Sequence, residues 1–80
     1  MKSVEQLIAE INTRWPLPKE YKFSEPELKM QQFWFDDEIC WEVTYCDGSR
    51  EDQDPQAEGF TLTEALTDLV SYLEHTYGKS

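Results

Sequence analysis

The chain has 80 residues, seventeen Asp or Glu against seven Lys or Arg, and a formal net charge of −10. One domain of this size buries roughly 60% of its unfolded surface, enough for a single core and too little for a deep, enclosed active site. Its negative field favours cationic partners and excludes direct binding to nucleic acid or to an anionic membrane.

Eleven aromatic residues (three Trp, four Tyr and four Phe) supply a small core with large apolar area. No apolar run is long enough to span a bilayer, and Met1-Lys2-Ser3-Val4-Glu5 lacks the apolar stretch of a signal peptide. Cys40 and Cys46 fall six residues apart in one predicted strand, about 20 Å when extended and far beyond disulfide reach. Free thiols and a reducing, cytoplasmic location are expected.

Ser3 and Gln6 make a capping-box pair, and Val4, Leu7, Ile8 and Ile11 follow at helical spacing with Trp15 closing the stripe. Pro16 and Pro18 stop that helix, which is placed at residues 3–14. Lys19-Glu20-Tyr21-Lys22-Phe23 alternates polar and aromatic as a short strand, and Pro26 breaks it. Glu27–Phe35 and Glu38–Cys46 are rich in aromatic and β-branched residues, with Asp36-Asp37 between them as a turn. A two-residue turn sets Trp34 opposite Ile39, Gln32 opposite Trp41, Met30 opposite Val43 and Leu28 opposite Tyr45. Those eight form the core side, and Phe33, Cys40, Gln31, Glu42, Lys29 and Thr44 form the other.

Residues 47–59 read as a polar loop that can hold a short strand. Thr61 and Glu64 then form a second capping box, with Phe60 at the head of a hydrophobic staple. Leu62, Leu66, Leu69, Val70, Leu73 and Tyr77 make the stripe of a last helix, and Gly78 suits its end. The expectation is one α+β domain over residues 1–80. It has a two- or three-stranded antiparallel sheet with an N-terminal and a C-terminal helix on one face, in α-β-β-β-α order. This order resembles the double-stranded RNA-binding domain, in which a Gly and a pair of lysines precede the second helix and grip phosphate. Here Gly59 is followed by Phe60, Thr61, Leu62, Thr63 and Glu64 with no lysine, so RNA binding is not carried over.

Chemical signatures are weak. His75 is the sole histidine and falls on the outer face of its helix with Glu64 and Asp68. Cys40, Cys46 and His75 lack zinc-ligand spacing, and the predicted faces oppose a Cys–His nucleophilic pair. The loop offers Asp52, Asp54 and Glu58 without the Gly that an EF-hand needs. No enzyme activity, metal or cofactor is expected.

Charge placement says more. Residues 1–35 hold five acids and five bases, whereas residues 36–80 hold twelve acids against Arg50 and Lys79. The expected binding face therefore comprises Asp36, Asp37 and Glu38 at the turn, Asp47, Glu51, Asp52, Asp54 and Glu58 along the loop, and Glu64 and Asp68 on the last helix. Phe33 and Phe35 lie on the sheet face away from the helices, either covered by the segment 15–23 or open as an aromatic contact patch. Duplex DNA carries one charge per about 1.7 Å of its axis, and a carboxylate array on a rigid frame can stand in for it.

In size, charge and mixed α/β make-up the chain resembles the small acidic inhibitors of phage or mobile-element type, which mimic DNA to block restriction or CRISPR nucleases. That likeness brings no motif and no residue roles. It implies an inhibitor that blocks the basic surface of a nuclease or other nucleic-acid-binding protein. Two alternatives stand beside it: an immunity- or antitoxin-type protein neutralising a basic toxin, and an assembly module associating through its aromatic sheet face. Monomer and homodimer are both open.

Overall fold

The computed structural model describes residues 2–17, 19, 26–47 and 54–78. Helix α1 spans Val4–Arg14, strands β1, β2 and β3 span Glu27–Phe35, Glu38–Cys46 and Gln56–Gly59, and helix α2 spans Leu62–Tyr77. The order is α-β-β-β-α, an α+β fold with a three-stranded antiparallel sheet ordered β1-β2-β3. The strand expected over residues 19–23 lies, apart from Lys19, outside the described residues.

Each helix starts where its cap places it. The Ser3 side chain accepts from the Gln6 N–H at 3.2 Å and the Ser3 N–H donates to the Gln6 side chain at 2.8 Å, which completes the capping box of α1. At α2 the Thr61 hydroxyl accepts from the Glu64 N–H, but the Glu64 carboxylate reaches one residue further back, to the Phe60 N–H. The expected second capping box is thus shifted by a residue. Gly78, at φ 80°, ends α2.

The hairpin register is the anticipated one: Trp34 faces Ile39, Gln32 faces Trp41, Met30 faces Val43 and Leu28 faces Tyr45. Asp36 and Asp37 both have positive φ, 49° and 63°, as a two-residue turn matched to the strand twist requires. β3 then pairs with β2 through Val43–Ala57 and Trp41–Gly59.

The core joins Leu7, Ile11 and Trp15 to Val43, Tyr45 and the α2 stripe Ala65, Leu66, Leu69, Val70 and Leu73. α2 lies against β2 and β3, while α1 packs against α2. Trp15 ties the layers together. Its carbonyl accepts from the Tyr45 hydroxyl at 2.8 Å, and its indole N–H donates to the Gly78 carbonyl at 3.2 Å. Arg14 adds ion pairs to Glu10 at 3.0 Å and Glu74 at 2.7 Å, and its guanidinium sits 4.3 Å from the Trp15 ring centre.

One expectation about this core needs correction. The predicted face does turn towards the helices, yet only Trp41, Val43, Tyr45 and Leu28 are covered. Met30, Ile39 and Trp34 remain 41%, 45% and 71% exposed. For Met30 and Trp34 the cause is width: one helix is about 10 Å across and strands are spaced by about 4.8 Å, so α2 covers two strands and leaves β1. Ile39 lies on β2 beyond Trp41, where the pairing with β3 ends.

Candidate functional site

Two open clefts meet on one side of the molecule. The larger, about 1060 Å³, lies between α1 and the first turns of α2, where Glu10, Glu58, Glu64 and Asp68 supply carboxylates, Lys2 one ammonium and Phe60 an aromatic wall. The smaller, about 250 Å³, is bounded by Phe33, Phe35, Cys40, Glu58, Gly59 and Phe60 on the sheet face away from the helices. Glu58, Gly59 and Phe60 line both, so carboxylates and aromatic rings form one strip from α2 to the hairpin. At the hairpin end Phe35 leads by chain into Asp36, Asp37 and Glu38, all exposed.

Local sequence builds this junction. In the pleat Glu58 shares its face with Glu42 and Phe33, while Gly59 turns towards α2. A Cβ on Gly59 would lie 2.8 Å from the Ala65 nitrogen and 2.9 Å from the Glu64 Cβ. Only glycine lets the start of α2 come so close, and that approach brings Glu64 and Asp68 beside Glu58. Phe60 is 63% exposed: the rim of both clefts holds it, and no hydrophobic staple buries it.

Six expected site acids, Asp36, Asp37, Glu38, Glu58, Glu64 and Asp68, fall along this strip together with half-buried Phe33 and exposed Phe35. Asp47 and Asp54 do not. They sit where β2 ends and just before β3 begins, at the far end of a nine-residue strand about 30 Å long. Asp47 accepts from the Tyr77 hydroxyl at 3.1 Å, and Asp54 lies beside Cys46. Glu51 and Asp52 lie outside the described residues. The acids thus form two ends of the molecule rather than one connected face.

The cysteines are free and buried. Burial first, then the neighbouring Asp54 carboxylate, push the Cys46 thiol up to about 11, so it is un-ionised at neutral pH and a poor nucleophile. Burial, helped by Asp47, likewise raises the Tyr45 phenol. His75 is exposed on the outer side of α2, as expected. Among the described residues no three His, Cys, Asp or Glu side chains gather as metal ligands, and no helix is long and apolar enough to cross a membrane.

Sequence reasoning placed Trp34, Ile39 and Met30 in the core and so missed their exposure. For Trp34 and Ile39 the available signal was their position beside the acidic turn, and for Met30 it was the narrowness of the helix stripe. Comparison with protein-family models, curated proteins and solved structures returns no match for this chain.

Proposed function

We propose that this protein is a non-enzymatic interaction protein whose acidic, aromatic strip docks on the basic surface of a nucleic-acid-binding protein, inhibiting it as a DNA mimic. What supports the reading is the sharing of Glu58, Gly59 and Phe60 between the two clefts, which makes carboxylates and aromatic rings one continuous surface. Rings such as Phe35 and Phe60 supply contact energy, and the carboxylates supply steering and register. Two buried free thiols fit a reducing, cytoplasmic setting. A basic toxin would meet the same surface by the same electrostatics.

The test is DNA-cleavage inhibition across a panel of restriction and CRISPR nucleases and basic toxin nucleases, with two four-fold variants beside the wild type. One neutralises Asp36, Asp37, Glu38 and Glu58 to Asn or Gln, the other Asp47, Glu51, Asp52 and Asp54. Exposed charges contribute about 0–1 kcal/mol each, so the first set together costs about 2 kcal/mol, roughly thirtyfold in affinity. Inhibition should weaken with rising salt, compete with duplex DNA, and fail in the first variant more than in the second. Inhibition equal in all three proteins, or indifferent to salt, would refute the assignment of this strip. No inhibition anywhere in the panel would refute the DNA-mimic reading.

A further inference from the structure

Among the described residues strand β1 is bonded along one edge, to β2. In the order β1-β2-β3 its outer edge has no partner among the described residues, and α2 reaches only β2 and β3. Seven of its nine residues are exposed, on both faces of the sheet. A long, exposed edge with Met30, Trp34 and Phe35 in solvent is a template for another strand. The usual protections are thin: no proline and no bulge interrupts Glu27–Phe35, and its charged side chains are Glu27 and Lys29, both near one end.

We infer that β1 pairs antiparallel with β1 of a second copy, joining two sheets into one of six strands about a two-fold axis. Three observations select a second copy as the occupant. First, β1 balances Glu27 against Lys29, which lie 3.6 Å apart, so in a chain of net charge −10 this strand adds no net charge to repel a second copy. Second, the strand is self-complementary. With Gln32 on the axis, Met30 of one copy faces Trp34 of the other, which covers both exposed side chains. Third, the same register sets Glu27 of each copy opposite Asp37 in the turn of the other, and Lys29, 3.6 Å from Glu27 and diagonal to Asp37, places a cation between the two carboxylates.

Hydrogen bonding agrees with that register. Phe35 and Glu38 flank the two-residue turn and pair directly. Alternation along an antiparallel ladder then directs the N–H and C=O of Met30, Gln32 and Trp34 outward. These are the residues that the two-fold pairing matches. β3 offers the other edge, but it has four residues and carries Glu58.

Sedimentation equilibrium over a dilution series tests this, read together with amide exchange. Wild type should reach twice the 9.5 kDa chain mass and dissociate on dilution, with slow exchange at Met30, Gln32 and Trp34 in the dimer. Gln32→Lys sets two ammonium groups against each other at the axis and should leave a monomer with an unchanged circular-dichroism spectrum. Lys29→Glu should raise the dissociation constant at least tenfold, and less so in high salt. A mass of 9.5 kDa at every concentration would overturn the inference, as would open-ended oligomers. So would a dimer that survives Gln32→Lys, or one whose three amides exchange freely. None of these readouts depends on the binding of a nucleic-acid-binding protein.

Discussion

Gly59 decides how closely the last strand and the last helix approach, and no larger residue can replace it without moving backbone. The clashing atoms in a Gly59→Ala variant are the Ala65 nitrogen and the Glu64 Cβ, not the end of a flexible side chain. Overpacking of this kind costs about 1–3 kcal/mol, a fall in Tm of roughly 5–20 °C for a domain of this length. Thermal unfolding by circular dichroism reads it, and an unchanged Tm would show that the helix start can shift freely. Cys46 gives a residue-level dependence on pH. Its thiol has an ordinary value of 9.0 and is raised to about 11 in the folded chain. Across that window the folded protein keeps a proton that the unfolded chain has released. Stability is therefore intact below pH 9.0 and falls as pH rises towards about 11. Urea midpoints measured through this range should fall more steeply in wild type than in Cys46→Ala, and equal slopes would contradict the shift. Both residues were visible in the sequence as types, a glycine before a helix and a thiol in a strand. The backbone touching Gly59 and the carboxylate beside Cys46 were not, because each comes from another element.

The hairpin was legible because its information is local. Alternation along β1 and β2 fixes which side chains share a face, and a two-residue turn fixes the register, so one choice determines every pair. The turn itself is strained relative to an ideal one, since two aspartates hold φ of 49° and 63°. Asp37→Gly should stabilise the fold by about 0.5–1 kcal/mol, glycine being the residue such turns favour at that position. A denaturant midpoint moving up with an unchanged slope would support this, and a lower midpoint would mean that the Asp37 side chain contributes more than its backbone costs. Helix boundaries were equally local, set by Ser3, Thr61 and Gly78. The second capping box departed from expectation by one residue because the Glu64 carboxylate found the Phe60 N–H. That choice depends on how β3 enters the helix, which no capping pattern contains.

At the scale of the whole molecule, the two proposed surfaces differ in charge. The paired edge proposed for β1 is neutral, whereas the strip proposed for docking holds Glu58, Glu64 and Asp68 and continues to the acidic turn. Dimerisation through the first would present the second twice, and two linked strips bind an extended basic surface more tightly than one. The sequence by itself determined the element order, the hairpin register, the capped helix starts and the concentration of acid after residue 35. Each of these is a matter of period, turn chemistry or count along the chain. Tertiary structure alone decided which strands α2 covers and how far along β2, and with that the exposure of Met30 and Trp34 on β1 and of Ile39 on β2. It also decided that Asp47 and Asp54 stand apart from Asp36, Asp37 and Glu38, while Glu58 and Phe60 bridge two clefts. The physical reason is that alternation says which way a side chain points but not whether anything lies there. Covering a strand requires a helix wide enough to reach it, and here α2 lies on β2 and β3 while α1 packs on α2 rather than on β1.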